Sequence, residues 1–204
     1  MVDEIRVYVE GGGDGRESKA LVRRGFGKFF QNIVAQAREK RIRWHIVACG
    51  SRNSAFSDFQ VGQRTHPDAF NILLVDAEER VTTSARQHLQ ERDAWKLKDF
   101  DDEQCHLMVH VVEAWLIGDI DALQAFYGQH FNAGAIPRTE DVEQIEKPTL
   151  YASLKAATKR TTKGEYHKIQ HGPEILGLLD VDKVRGRAQH CERLFATLEQ
   201  KIGS

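Results

Sequence analysis

Three short runs of aliphatic, β-branched and aromatic residues constrain the fold of this chain more than any other feature of its sequence. The runs cover residues 5–9, 43–48 and 70–75, and each has the length and composition of a buried β-strand. Between the first two runs, apolar residues recur every three or four positions from Val22 to Ala37, which is typical of an amphipathic helix. Strands that alternate with helical segments usually pair in parallel and are covered by helices on both faces. The sequence therefore predicts an α/β fold with a mostly parallel sheet flanked by helices.

The strand signal ends near the middle of the chain. Residues 105–112 are predicted to form either a fourth strand or the start of a longer apolar run, and residues 113–126 have a helical pattern. Beyond Gly128 the pattern predicts only helices, over residues 148–157, 173–179 and 187–202. We therefore expect an α/β domain over residues 1–127 and a helical C-terminal extension, packed on it, over residues 128–204.

The near-neutral net charge of −1 conceals three segments of different sign. Residues 1–73 carry 12 basic and 8 acidic side chains, residues 74–146 carry 6 and 16, and residues 147–204 carry 11 and 6. An acidic middle between basic ends is what a cation site bordered by a polyanion-binding surface would produce, although solvated helices produce it too.

No part of the sequence indicates a membrane or an export route. The apolar stretches are far shorter than the roughly 20 residues that a membrane-spanning helix needs. Residues 1–25 show no basic-then-apolar signal pattern. We therefore expect a cytoplasmic protein that does not bind a membrane.

Acidic residues follow two of the predicted strands at the edge where parallel sheets bind ligands. Glu10 closes the first strand, Asp76 and Glu78 follow the third, and Asp14 lies in a glycine-rich segment just after Glu10. Neighbouring strands lie about 5 Å apart, so these carboxylates can converge on one divalent cation, and oxygen ligands suit Mg²⁺ or Mn²⁺ better than zinc. Asp14 and Asp76 can also be explained as helix caps. Glu10 is harder to explain in that way, because a carboxylate that ends an apolar central strand is costly unless it is paired or metal-bound.

Other classes of site fit the sequence less well. The glycine-rich segment, residues 11–15, lacks the third glycine of a dinucleotide-binding loop because Arg16 stands there, and no Gly-Lys-Ser/Thr follows it. His106 and His110 lack the adjacent Glu of an H-E-x-x-H helix, so zinc hydrolysis is a minor alternative. No G-x-S-x-G motif supports serine chemistry.

The acidic motifs resemble the signature of the Toprim domain, the metal-binding α/β domain of topoisomerases, primases and overcoming-lysogenization-defect nucleases. The short signature is carried by Glu10-Gly11 with Asp14, and by Asp76-Ala77-Glu78. The whole chain further resembles a bacterial Toprim-like family catalogued as a domain of unknown function. This wider resemblance is carried by segments spread along the chain: YVEGGGD at 8–14, CGSR at 49–52, HLMV at 106–109, EAW at 113–115, Asp119, Tyr166-x-Lys168 and His171-Gly172.

The resemblance implies a Toprim-like fold with a Mg²⁺ site. Carried over residue by residue, Glu10 becomes a metal ligand or general acid–base, and Asp76 and Glu78 become metal ligands with Asp14 nearby. Toprim domains usually have Asp-x-Asp where this chain has Asp76-x-Glu78, which puts a two-metal geometry in doubt. Members of the family are often described beside ATPase partners in phage-defence operons, so the resemblance also implies an effector controlled by an ATPase.

Four residues outside the acidic motifs are predicted to serve the same site. Glu113 follows an apolar run, and is either an additional metal-binding acid or a residue that initiates a helix. Arg52 follows the second strand at the same edge of the sheet, from which its guanidinium can reach a phosphodiester. Lys163 and Lys168 can reach it from the C-terminal extension, where an ammonium group can stabilise a developing oxyanion.

Together these residues predict a Mg²⁺- or Mn²⁺-dependent Toprim-like phosphodiesterase, most simply a nuclease acting on DNA or RNA. Glu10, Asp76 and Glu78 are its expected catalytic residues. The alternative is a non-catalytic regulatory subunit that uses the same fold to bind nucleic acid or an ATPase. A homo-oligomer is compatible with either function.

Overall fold

The computed structural model describes residues 2–203 and confirms the α/β fold. It contains four strands: β1 (Glu4–Glu10), β2 (Arg43–Gly50), β3 (Phe70–Asp76) and β4 (Cys105–Met108). The same residues form ten α-helices: α1 (Arg16–Phe29), α2 (Gln31–Glu39), α3 (Arg52–Thr65), α4 (Ala85–Asp93), α5 (Glu113–Gly118), α6 (Ile120–Tyr127), α7 (Lys147–Thr158), α8 (His171–Leu176), α9 (Val181–Arg185) and α10 (Gln189–Gly203).

The four strands are all parallel and lie in the order β2-β1-β3-β4. β1 and β3 are therefore the two central strands, and β2 is an edge strand. β3 is buried along nearly its whole length, which explains its almost unbroken apolar sequence. Because parallel strands end at the same edge of a sheet, the segments that follow β1 and β3 meet there.

Side chains of the sheet alternate between two apolar layers. Val7 and Leu74 face the layer that contains α1, α2 and the C-terminal helices, whereas Tyr8 and Leu73 face the layer that contains α3 and α4. This alternation is the two-residue period of a β-strand. Helices therefore cover both faces, as the sequence predicts.

The helical C-terminal extension is present as α7 to α10. α10 packs in the same apolar layer as α1, where the rings of Phe29 and Phe195 lie 5.6 Å apart between centroids. The domain boundary between residues 127 and 128 stays a prediction. No helix within residues 2–203 combines the length and the apolar character needed to cross a bilayer.

Three predicted elements differ in extent from those observed. The helical pattern from Val22 to Ala37 is divided into α1 and α2 at Phe30, which has a ψ of 5° and is fully buried, so that packing overrides the pattern. The fourth strand covers only Cys105–Met108 of the predicted residues 105–112, and α5 begins at Glu113. The helix predicted over residues 113–126 is interrupted at Asp119, whose carboxylate caps the start of α6.

Candidate metal centre

Glu10 lies at the end of β1, where the pairing of β1 with β2 shifts by one residue. Val9 pairs with Ala48 but Glu10 pairs with Gly50, and a β-bulge of this kind changes the direction of the side chain. The Oε2 atom of Glu10 accepts a hydrogen bond from the backbone N of Asp76 at 3.2 Å. The bulge and this bond hold the Glu10 carboxylate at the carboxyl end of β3.

Asp76 ends β3 and is almost completely buried, with 3% of its surface exposed. Its Oδ1 atom accepts a hydrogen bond from the backbone N of Val112 at 2.8 Å. Its Oδ2 atom lies 3.3 Å from Nζ of Lys168. The Oδ1 atom of Asp76 thus holds the segment before α5 in place, which is a structural role, while its Oδ2 atom faces the ammonium group of Lys168.

Glu78 follows β3 in the left-handed backbone region, with a φ of 67°. This conformation is uncommon for a residue other than glycine and costs about 1–3 kcal/mol. Its backbone N donates a hydrogen bond to the carbonyl oxygen of His110 at 2.7 Å, which holds the turn. Its carboxylate is paired with Lys147.

The carboxylates of Glu10, Asp76 and Glu78 converge. Each offers one oxygen, and the three oxygens lie within 4.8 Å of one another. Oxygen ligands bind Mg²⁺ or Ca²⁺ at about 2.0–2.6 Å, so two ligands of one cation lie up to about 4–5 Å apart. The structure thus brings together the three residues predicted to be catalytic, at a separation that one divalent cation can bridge.

The pKa values of the three acids are shifted in different directions. The pKa of Asp76 is raised to about 7, chiefly by burial, with Lys168 opposing the rise and Glu10 adding to it. Burial also raises the pKa of Glu10, against the opposing charge of Arg52. Burial acts on Glu78 in the same direction, but its hydrogen bond and ion pair with Lys147 outweigh burial and lower its pKa. Two of the three carboxyl groups therefore resist ionisation, and a divalent cation would relieve that resistance.

Arg52, predicted to contact phosphate, lies at the start of α3 with its guanidinium largely inside the protein. Its Nε and Nη2 atoms donate to the two carboxylate oxygens of Asp93 at 2.9 and 2.7 Å. Its Nη1 atom lies 3.4 Å from Oε2 of Glu10 and donates to the carbonyl oxygen of Asp76. These contacts position Glu10 and the end of β3, and a phosphate contact by Arg52 stays a prediction.

Lys168 is the predicted cation that the structure places against the acids. Its Nζ atom lies 3.3 Å from Oδ2 of Asp76 and 3.7 Å from Oε2 of Glu113. Burial disfavours the ammonium charge, but these two carboxylates outweigh burial and raise the pKa of Lys168 above its ordinary value. The ammonium group of Lys168 therefore lies between the carboxylates of Asp76 and Glu113.

Glu113 is fully buried and lies outside the three-carboxylate group. Its Oε1 atom accepts a hydrogen bond from the hydroxyl of Tyr166 at 2.9 Å. Its Oε2 atom has no hydrogen-bond partner within the described residues. The predicted metal-binding role of Glu113 therefore stays a prediction, and in this structure the residue lies against Lys168.

A cleft of about 290 Å³ opens onto Glu10 and Asp76. The backbone of residues 11–13 forms one wall, with φ values of 139°, 86° and 55° that side chains rarely permit. Gly50 faces this wall, and a Cβ atom there would overlap the carbonyl oxygen of Gly13. Lys168 and apolar side chains of α1 and α8 complete the lining. The glycine run therefore brings bare backbone close to the acids and leaves room for a small ligand.

The remaining predicted residues lie apart from this group. Asp14 is exposed at the end of the glycine run and is not among the converging carboxylates. Lys163 is also exposed, with its Nζ atom 4.6 Å from the centre of the Phe126 ring, and it does not line the cleft.

The histidines of the zinc alternative do not form a metal site with the acids. His106 is fully buried, and its two ring nitrogens contact the carbonyl oxygen of Glu103 and the guanidinium of Arg193. Burial lowers the pKa of His106 to about 3. The His106 ring, which lies on β4, therefore contacts Arg193 of α10 and helps to hold this helix against the strand.

Lys147, Asp93 and Tyr166 complete the site, and sequence reasoning assigned none of them a role. Lys147 is 69 positions from Glu78, and no motif connects them. Asp93, the partner of Arg52, lies at the end of α4, where an acid has no local signal. Tyr166 did carry a signal, since the spacing of Tyr166 and Lys168 is part of the family resemblance, but its role depends on Glu113.

Comparison with known proteins gives one match. A family model for a domain of unknown function, DUF4276, matches residues 9–199. The matched range includes the three converging acids, Glu113 and Lys168. No curated protein and no solved structure matches the chain significantly.

Proposed function

We propose that this chain, which belongs to the family DUF4276 of domains of unknown function, is a divalent-metal-dependent phosphodiesterase of the Toprim type. Its substrate would be DNA or RNA. The observation that carries the proposal is the convergence of Glu10, Asp76 and Glu78 within 4.8 Å of one another. They stand at the carboxyl ends of the two central parallel strands, where the resemblance to Toprim domains puts the metal.

The donor set fits Mg²⁺ or Mn²⁺. All three side chains are carboxylates, which are the hard oxygen ligands that these ions prefer. The raised pKa values of Glu10 and Asp76, which follow chiefly from their burial, mean that nearby protein cations only partly compensate their charge. When bound, the cation would neutralise phosphate charge and lower the pKa of a coordinated water.

The side chains around the acids have distinct roles in this proposal. Glu10 is a better proton acceptor than Glu78, because the pKa of Glu10 is raised and that of Glu78 is lowered. Lys168 lines the cleft and can neutralise a non-bridging phosphate oxygen. Arg52 holds the carboxylate of Glu10 and the carbonyl group of Asp76 in place.

The decisive experiment is a cleavage assay on plasmid DNA and on RNA with Mg²⁺ or Mn²⁺. We expect activity from the wild-type protein and a loss of at least about 100-fold in Glu10→Gln and in Asp76→Asn, since each change removes a ligand oxygen charge. Glu79→Gln is the matched control, because Glu79 directly follows Glu78 in the sequence and its side chain is 70% exposed. Activity that survives both site changes would refute the assignment.

A regulatory role without catalysis is favoured by a different observation. The three acids already have protein cations beside them: Lys147 at Glu78, Lys168 at Asp76 and Arg52 at Glu10. Acids that are paired with protein cations in this way can serve to hold the fold while another surface binds nucleic acid or an ATPase. Calorimetry with Mn²⁺ separates the two proposals, because a regulatory subunit would bind no cation at these acids and would co-purify with its ATPase.

The resemblance further implies a role for the proposed nuclease in phage defence, under the control of an ATPase partner. In that case the isolated chain would be inactive until the partner releases it. Cleavage measured with and without proteins encoded beside it would then show activity only in the combined sample.

A further inference from the structure

A line of cations on α1 starts beside the cleft. Arg16, Lys19 and Arg23 are spaced by three and four residues, so they project from one side of the helix. Lys19 passes over Gly50, which is part of the cleft lining. Arg16 and Arg23 are exposed. The helix thus carries positive charge from the cleft toward the opposite end of the sheet.

Arg23 also belongs to a second group of arginines along the outer strand of the sheet. An open groove of about 660 Å³ is lined by Arg23, Arg38, Arg41 and Arg43, with Trp44 and other half-buried side chains between them. The groove follows β2, which pairs with β1 alone among the described strands. We call the six side chains the cationic track: Arg16, Lys19, Arg23, Arg38, Arg41 and Arg43.

The cationic track is hardly neutralised by the protein itself. Residues 16–43 contain nine Lys and Arg side chains but only two Glu. Within residues 2–203, five members of the track form no ion pair, and only Arg43 is paired, with Glu4. Exposed Lys183, by contrast, is paired with both Asp119 and Asp121. This uncompensated charge is typical of a surface that binds a polyanion.

We propose that the cationic track binds the sugar–phosphate backbone of a nucleic acid and leads it to the acids at the cleft. This assignment rests on the proposed function, because it takes nucleic acid as the substrate. A second copy of the chain is a poor occupant of the free β2 edge, since it would bring arginines against arginines. Arginine also matches phosphate with paired hydrogen bonds, which suits a backbone contact.

The geometry sets the length of nucleic acid that the track can cover. From Gly50 to Arg43 the strand advances seven residues, or about 23 Å at about 3.3 Å per residue. That distance equals about seven base pairs of DNA at 3.4 Å per step. Oligonucleotides much shorter than this should lose contacts, whereas longer ones should gain nothing more from the track.

The test measures binding rather than cleavage, so that it does not depend on activity. The 204-residue chain carrying Glu10→Gln is titrated, in EDTA, into a fluorescein-labelled 24-base-pair DNA duplex and a labelled 24-nucleotide RNA. Anisotropy is followed from low to high salt. We expect Arg23→Gln with Arg38→Gln to lower the slope of log K against log salt by about 1.8 for duplex, or about 1.4 for a single strand, since each lost phosphate contact removes about 0.9 or 0.7. The control pair Arg138→Gln with Arg160→Gln removes the same charge from exposed arginines outside the groove and should leave the slope unchanged.

Three results would overturn the assignment. One is binding that the track variant and the control pair reduce equally, which would show only a net-charge effect. Another is the absence of binding to either nucleic acid. The third is tighter, salt-dependent binding of a labelled polyglutamate peptide, which would assign the surface to an acidic protein. Cleavage that is absent both with and without the proteins encoded beside this chain, while anisotropy shows binding, would refute the proposed function and leave the assignment of the cationic track intact.

Discussion

The hydrogen bond between Tyr166 and Glu113 gives a sharp prediction about stability. Glu113 is fully buried, its Oε2 atom has no hydrogen-bond partner in residues 2–203, and its Oε1 atom accepts from the Tyr166 hydroxyl at 2.9 Å. Tyr166→Phe keeps the ring and removes only the hydroxyl, so the carboxylate loses this bond and retains only the ammonium of Lys168 at 3.7 Å. Little else in the packing should change.

The expected cost can be estimated from the surroundings of Glu113. A hydrogen bond to a charged group contributes about 1.5–3 kcal/mol, and a buried acceptor left without a partner loses at least that much. Lys168 can offset part of the loss, so we expect Tyr166→Phe to lower the free energy of unfolding by about 2 kcal/mol. For a chain of this length that is a fall in Tm of about 4–8 °C.

Urea unfolding followed by circular dichroism measures this change, with Tyr151→Phe as the matched control. The Tyr151 hydroxyl lies 3.5 Å from Nζ of Lys168 and makes at best a weak bond, so its removal should cost less than about 0.5 kcal/mol. In a Glu113→Leu background, Tyr166→Phe should likewise cost less than about 0.5 kcal/mol, because the acceptor is gone. Equal costs with and without Glu113 would refute the reasoning.

Three further predictions concern charge and metal. Because the pKa of Asp76 is raised to about 7 in the folded protein and is about 3.9 in an unfolded chain, the folded state binds more protons and wild-type stability should fall as the pH rises from about 4 to 7. Asp76→Asn should make unfolding curves less dependent on pH across that window, by up to about 1.4 kcal/mol per pH unit. Mn²⁺ at about 100 times its Kd should stabilise the wild-type protein by about 2.7 kcal/mol, and Glu10→Gln should abolish the resulting rise in Tm. Arg52→Lys should destabilise the fold by about 1–3 kcal/mol in urea, because lysine cannot reproduce the two bonds that Arg52 donates to Asp93, while Arg64→Lys, on an exposed turn of α3, should be neutral.

The sequence predicted the parts of the fold that depend on local pattern. β1 and β3 have compositions that belong to central parallel strands, and Glu10 and Asp76 were identified because each acid ends such a strand. The break at Phe30 was missed, because both Phe29 and Phe30 fit a helical apolar face and only tertiary packing shows that Phe30 leaves the helix.

Arg52 and Lys168 were predicted to serve the candidate site, but the carboxylates that they contact were not predicted, and Lys147 was not predicted at all. Lys147 and Lys168 reach the acids from parts of the chain 69 and 92 positions away. A lysine on a polar surface gives no local sign of the carboxylate that it will meet. The orientation of the Arg52 guanidinium could not be predicted from the sequence either, because it depends on a hydrogen bond to Asp93 at the end of another helix.

The charge balance of the site links metal binding to phosphate binding. Four carboxylates (Glu10, Asp76, Glu78, Glu113) face three cations (Arg52, Lys147, Lys168), a formal charge of −1 when all are ionised. A bound divalent cation would bring this to +1, so a phosphodiester and the metal should each strengthen the binding of the other.

Lys168 should compete with the metal, because both favour the Asp76 carboxylate. At about 4 Å and an effective dielectric constant of about 20, a unit charge and a divalent cation repel each other by about 8 kcal/mol. The Lys168 side chain is 46% exposed, so solvent reduces that repulsion to about 1–1.5 kcal/mol. Calorimetry should therefore show Mn²⁺ binding about tenfold more tightly to Lys168→Gln than to the wild type, with Lys163→Gln unchanged. If Lys168→Gln weakened Mn²⁺ binding instead, Lys168 would be organising the acids rather than opposing the cation.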